Sequence, residues 1–354
     1  MPSPGQAAGH HYRLALARAP DISPEEVASI IGRDMDNLGE FELIERFFTR
    51  PARRVALGIG DDCALLSPGP GMTLAVSSDM LIEGRHFLST VAPDRLGHKV
   101  LAVNLSDLAA CGAKPLAFTL ALAMPRAEED FLVGFARGLF ALAEAHDCEL
   151  IGGDTTRGPL AICITVFGEV PPASALLRSG ARSGDDIYVS GSLGDARLAL
   201  EAFRGGVTLD ERAFATARRA MELPEPRVAL GVALRGLATS AIDVSDGFAG
   251  DLGHILARSG VGAAVVVADL PRGAALRGQP AAMQRECVLA GGDDYELVFT
   301  APPDRRDGVS AAAATAGVAV SRVGRIEAAP GLRLVDGDGR VEGVAPASFD
   351  HFRA

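Results

Sequence analysis

Strand-like and helix-like segments alternate along most of the chain, and Pro171-Pro172 interrupts the alternation near its middle. That pattern restricts the fold to sheets with helices packed on them, because each amphipathic segment must bury its apolar side against another. Ordered structure is expected from Gly39-Glu40, where Phe41, Leu43, Ile44, Phe47 and Phe48 recur at helical spacing. The patterning predicts strands at 55–59, 73–77, 116–123, 149–151 and 161–170, with helices at 95–110 and 128–145. Beyond the two prolines it predicts strands at 186–190, 241–244, 263–267 and 296–300, with helices from Asp195 and Gly250. A hairpin is expected over 333–341, around Asp336-Gly337-Asp338-Gly339. At about 150 residues per domain, 354 residues suit two domains. The expected organisation is an extension at 1–36, a first domain at 37–170 and a second at 171–354, in an α/β plus α+β architecture.

Function is narrowed by where the aspartates fall. Six acidic motifs lie at the ends of apolar strands or beside glycines: Gly60-Asp61-Asp62, Ser77-Ser78-Asp79, Asn104-Leu105-Ser106-Asp107, Gly152-Gly153-Asp154, Asp243-Val244-Ser245-Asp246 and Gly291-Gly292-Asp293-Asp294. Strand ends of α/β sheets are where ligands collect, and carboxylates gathered there repel one another unless a cation neutralises them. Hard oxygen donors with hydroxyl neighbours suit Mg²⁺ or Mn²⁺. Taken singly, each motif is also ordinary turn or cap chemistry, and Ser245-Asp246 could simply cap the next helix. Asp107 argues most strongly for a ligand. Leu96, Val100, Val103 and Asp107 share one helical stripe, so this carboxylate sits on its own apolar face unless Lys99 or a loop amide takes it. The segment 150–158 reads as a strand running into a glycine-rich turn, where amide groups can approach phosphate.

Composition removes several classes. Hydrophobic residues make up 48% and charged residues 22%, which excludes a disordered or collagen-like chain. Lys+Arg number 34 against 45 Asp+Glu, a net −11 that repels nucleic acids and anionic membranes. Only Lys99 and Lys114 are lysines, and no G-x-x-x-x-G-K-[ST] loop occurs. The seven histidines lack H-E-x-x-H spacing, and no G-x-S-x-G elbow is present. By spacing alone His86 fits a cap or surface role as well as a substrate contact. Five scattered cysteines without C-x-x-C suit reduced, buried thiols. No apolar run reaches the ~18 residues of a spanning helix, and no secretory h-region is evident, so a cytoplasmic protein is expected.

Taken together, GEFELIERF, GIGDDCALL, SSDMLIEGRHF, KVLAVNLSDLAACGAKP, LIGGDTTRGPL, AIDVSDGFAGDLGHI, GGDDYELVF and the closing FDHF resemble the thiamine-monophosphate kinase family. Its PurM-like superfamily also holds aminoimidazole ribonucleotide synthetase, selenophosphate synthetase and a hydrogenase maturation factor. The resemblance implies a two-domain fold, whose N-terminal mixed sheet pairs with its twin in a homodimer. It also implies ATP-dependent phosphorylation of thiamine monophosphate to thiamine diphosphate, the last step of that synthesis, assisted by several Mg²⁺ ions. K⁺ is left open as a further cation.

Carried over position by position, the resemblance implies metal ligands at Asp62, Ser77, Ser78, Asp79, Asp107, Asp154, Asp243 and Asp246. It implies nucleotide contacts at Gly153, Asp154, Arg178 and Ser245, and acceptor contacts at His86, Asp293 and Phe349. No covalent nucleophile is implied. Asp293 stands where the family's GGEDYEL carries Glu, and Phe349 where Tyr or Trp is often found. Other acceptors within the superfamily, a non-catalytic nucleotide-binding regulator and a metal phosphatase are the competing readings. The first cysteine, Cys63, is poorly sited for selenide chemistry, and no D-x-D-x-[TV] supports a phosphatase.

Overall fold

The structure, a computed structural model, describes residues 39–336 and 340–342; the chain divides into two compact units, Met1–Gly39 and Glu40–Ala354. Within the second unit a short helix, α1 (Glu40–Leu43), runs into a π turn at Ile44–Phe48 that buries Phe47 and Phe48. Strands β1 (Val55–Leu57) and β2 (Leu65–Leu66) then pair antiparallel.

Strands β3 (Thr73–Ile82), β4 (Lys114–Met124), β5 (Glu149–Arg157) and β6 (Ala161–Val170) form a four-stranded sheet in the order β3-β6-β4-β5. Along β6, Ile162, Ile164 and Val166 are buried and alternate with half-buried neighbours, as a period of two requires. Helix α2 (Pro93–Ala110) packs on β3 and β6, and α3 (Glu129–Ala145) packs on α2. The two helices meet closely at Gly138, where a Cβ would stand 1.7 Å from the Asp94 carbonyl oxygen. The parallel pair β4–β5 needs a crossover, which α3 supplies. On the sheet's other face Leu74, Val76, Met80 and Ile82 of β3 remain 39–55% exposed.

One sequence expectation is corrected here. The segment 150–158 does not turn at its glycines, because β5 continues through them to Arg157, paired with β4 from Thr119↔Gly152 to Met124↔Arg157. A register shift between Phe118 and Thr119 keeps the pair together. Gly153 at φ 149° lets the backbones approach, since a Cβ there would lie 1.9 Å from the Leu120 carbonyl oxygen.

The second sheet contains β7 (Asp186–Ser190), β8 (Ser240–Asp243), β9 (Gly262–Val266), β10 (Leu297–Ala301), β11 (Val320–Glu327), β12 (Gly331–Val335) and β13 (Val341–Glu342). Their order is β13-β12-β9-β11-β7-β10-β8. All pairs are antiparallel except β9–β12, and every residue of the interior strands β7 and β10 is buried. The expected hairpin is β12–β13; residues 337–339 at its tip lie outside the described residues. Helices α4 (Asp195–Phe203), α5 (Glu211–Glu222), α6 (Val228–Ala233), α7 (Phe248–Ser259), α8 (Ala281–Ala290) and α9 (Arg306–Ala316) complete this half. Phe248, Leu252 and Ile255 of α7 share a buried cluster with Leu198 of α4, Val288 of α8 and Ile187 and Val189 of β7.

Helix α2 also bonds the second half. His98 Nε2 lies 2.7 Å from the Pro224 carbonyl oxygen, Arg95 Nη1 2.7 Å from Glu222 Oε2, and Ser106 Oγ 2.7 Å from Asp243 Oδ2. The five cysteines are all free; Cys148 and Cys287 are buried but Cys63 is exposed, so burial holds for only part of the expected set.

Candidate active site

Where α2 meets the second sheet, a cavity of about 310 Å³ collects residues from five segments. The β3 end contributes Asp79, and the turn after it Arg85 and His86. Lys99, Val103 and Asp107 come from successive turns of α2. The second half supplies Arg197 from α4, Asp243 from the end of β8, Ser245 and Asp246 from the following loop, and Gly292, Asp293 and Tyr295 from the loop after α8. Carboxylates spread over more than 200 positions of sequence thus line one cleft.

Electrostatics there are strained. Burial, then the neighbouring charges of Asp107 and Asp246, push the Asp79 carboxyl up to about 6. Burial also raises Asp107, against the hydrogen bond from Ser77 Oγ at 2.5 Å and the nearby Arg178. Asp243 is raised by burial and by Asp107, although Ser106 donates to it. Anions forced together in this way favour a bound cation, which would restore their ordinary ionisation.

Among the described residues no three His, Cys, Asp or Glu side chains already stand together as a metal cage. This donor set still fits Mg²⁺, which usually takes one or two carboxylates and completes its shell with water and substrate phosphates.

The remaining expected ligands lie elsewhere. Asp62, Gly153 and Asp154 line a second cavity of about 810 Å³, beside Phe41, Ile44 and Phe48. Ser77 and Arg178 line a third of about 410 Å³, which shares Asp107 and Asp243 with the first. Ser78 alternates to the other side of β3, where its hydroxyl lies 2.9 Å from Thr165 Oγ1. Phe349 lies outside the described residues.

The turn-and-cap reading holds for some motif members and not for others. Asp61 Oδ1 accepts the Asp62 amide, and Asp294 accepts the Gly194 amide at 2.9 and 3.1 Å. The start of α7 is held by neither Ser245 nor Asp246. Asp251 Oδ2 accepts the amides of Ser245, Asp246 and Gly247, each at 3.1 Å, and so fixes the loop that carries two cavity residues. Sequence reading missed Asp251; its signal was an acid in the first turn of α7. It also missed Arg197 and the place of Lys99 in the cavity wall.

The Asp293 loop is strained as well. Asp293 has φ 71° and Tyr295 φ 51°, a left-handed region that costs non-glycine residues of order 1–3 kcal/mol each. Their amides are held by the carbonyl oxygens of Ser245 and Val244, at 2.9 and 2.8 Å. Strain that the surroundings enforce this firmly tends to cluster at functional sites.

Comparison with known proteins resolves the family. Residues 60–170 match the model for the AIR synthase related protein N-terminal domain, and 182–337 that for its C-terminal domain. The thiamine-monophosphate kinase of Salmonella typhimurium is 44% identical over 320 residues, spanning 89% of this chain and 98% of that protein. The chain belongs to the thiamine-monophosphate kinase family. The kinase of Caulobacter vibrioides is 40% identical over 304 residues, covering 83% of this chain and 85% of its own length. In structure, the thiamine-monophosphate kinase of Stenotrophomonas maltophilia superposes with TM-score 0.76 at 46% identity, covering 82% of this chain and 92% of that one. A solved complex of AaThiL with AMPPCP and TMP superposes at 0.71 with 29% identity, covering 81% and 89%. The family thus accounts for both sheets and for the α/β plus α+β architecture.

Proposed function

We propose that this chain transfers the terminal phosphoryl group of ATP directly to thiamine monophosphate, giving thiamine diphosphate, with no covalent enzyme intermediate. The observation that carries this reading is one cleft shared by Asp79, Asp107, Asp243 and Asp246 with His86 and Asp293, drawn from both halves of a chain of this kinase family. The acceptor is a phosphate monoester, already ionised near neutral pH, so a strong general base is unnecessary. The difficulty is bringing two anions together. Asp62, Ser77, Ser78, Asp79, Asp107, Asp154, Asp243 and Asp246 would hold Mg²⁺, with K⁺ as a further candidate cation. Bound Mg²⁺ would supply charge neutralisation between nucleotide and acceptor.

The chain's own groups do the rest. Arg178 offers a planar cationic fork to the nucleotide, and Gly153, Asp154 and Ser245 would contact it. His86, Asp293 and Phe349 would orient thiamine phosphate. In this reading residues 37–170 are the nucleotide- and metal-binding domain and 171–354 its α+β partner. The protein would work in the cytoplasm; among the described residues no helix is long and apolar enough to cross a membrane. The exposed apolar row on β3 supports a homodimer joined through the first sheet.

The test is a product assay with ATP and Mg²⁺, offering thiamine phosphate and thiamine in parallel, with and without K⁺. Thiamine diphosphate from the monophosphate alone is the expected result. No product, or product from thiamine as well, would refute the assignment.

A further inference from the structure

Lys99 is 2% exposed, although a lysine normally keeps its ammonium in water. It lies two helical turns before Asp107 on the same face of α2, in the wall of the carboxylate cleft. Five carboxylates line that cleft, yet Lys99 Nζ bonds only one of them, Asp293 Oδ2, at 2.5 Å. Its second bond goes to the His86 carbonyl oxygen at 3.3 Å. One buried cation therefore joins the turn after β3 to the loop after α8, whose Asp293 lies 194 positions beyond Lys99 in the sequence. The loop it grips is the strained one, with Asp293 in the left-handed region. Asp293 is also a carbon shorter than the Glu of the family motif, so its reach is set by what holds it.

We propose that Lys99 is a positioning residue for the acceptor: it fixes Asp293 and the His86 turn in the geometry that receives thiamine phosphate, and leaves nucleotide binding untouched. This rests on the functional reading above. A buried ion pair of merely structural value would, when broken, lower stability and disturb both substrates alike. A positioning pair disturbs one. A long cation without an aspartate to grip positions nothing, so losses at the two residues should not multiply.

Initial rates of Lys99→Met, Lys99→Arg, Asp293→Asn and the Lys99→Met/Asp293→Asn double variant, with ATP and thiamine phosphate varied in turn, separate these possibilities. Lys99→Met is expected to raise KM for thiamine phosphate about tenfold or more while KM for ATP stays within about twofold. Lys99→Arg should recover most of that loss, and the double variant should be no worse than the poorer single one. Equal rises in both KM values, an unchanged KM for thiamine phosphate, or multiplying losses would overturn the proposal. Should Lys99→Met fail to fold, Lys99→Gln carries the same comparison: a rise confined to KM for thiamine phosphate is expected, and an unshifted value or equal rises in both KM values overturn the proposal. A wild-type chain that makes no thiamine diphosphate overturns the functional reading and this inference with it. An active wild type with an unshifted Lys99→Met overturns the inference alone.

Discussion

Ser106 Oγ donates to Asp243 Oδ2 at 2.7 Å, so the central helix of the first half holds a carboxylate at the end of a strand of the second. One residue further along that helix Asp107 faces the same strand end, and its charge raises the pKa of Asp243. The two halves are therefore assembled around carboxylates that oppose one another. A fold that keeps such repulsion needs something to relieve it, and a phosphate-bound dication would do so.

Asp79→Asn tests that opposition in activity and in stability. Losing a proposed metal ligand should lower kcat at least about a hundredfold in the thiamine phosphate assay, while the melting profile stays cooperative. Without metal, the stability effect has the opposite sign. The Asp79 folded-state pKa of about 6 lies above its ordinary 3.8, so its ionisation opposes folding. That penalty is absent below the unfolded value, grows as pH rises between the two, and is complete above the folded value. Asn carries no such penalty. Metal-free Asp79→Asn should thus melt higher than wild type at pH 7.5, and the gap should close towards pH 4. A gap independent of pH would remove electrostatics as its cause.

Asp251 makes a separate prediction, because it shapes the site without lining the cleft. Its carboxylate accepts three amides ahead of α7, and it is 2% exposed. Asp251→Ala would leave the buried Gly247 amide and the half-buried Ser245 and Asp246 amides without this acceptor, at a cost of about 1–3 kcal/mol in urea unfolding. It should also weaken ATP binding by loosening Ser245. Asp251→Asn keeps an acceptor oxygen and sheds a charge whose pKa burial has pushed up to about 7, so it should be much milder. Equal losses in both variants would argue against the cap.

How far sequence alone reached follows from range. Strand β6 was legible at 161–170 because alternation is a local signal, and β7 at 186–190 because the short apolar run Ile187-Tyr188-Val189 suits a strand buried on both faces. Asp107 was legible because a carboxylate on an apolar stripe is anomalous wherever the helix packs. Strand β5 was under-read, since glycines signal a turn locally and only the neighbouring strand reveals that close approach is what they serve. Helices α5, α6, α8 and α9 went unread. Spacing alone did not show which aspartate of Gly-Gly-Asp-Asp faces the cleft, and only the family resemblance pointed to Asp293: Asp293 bonds a lysine 194 positions away, while Asp294 accepts the Gly194 amide. Partners that distant leave no trace in spacing.

The open face of the first sheet supports the last prediction. On β3 the side chains of Leu74, Val76, Met80 and Ile82 point to one side, because alternate residues share a face, and all four are at least 39% exposed. β3 is also an edge strand of its sheet. An apolar row at an open edge invites association unless charge or a partner blocks it. A second copy meeting this face would pair the rows, so the chain should sediment at twice its 36.6 kDa mass. Val76→Glu with Met80→Glu would set like charges opposite one another across the two-fold contact, and should give monomers at micromolar concentration. Because both side chains point away from α2, the secondary-structure content should not change. A double variant that stays dimeric would show that association uses another surface.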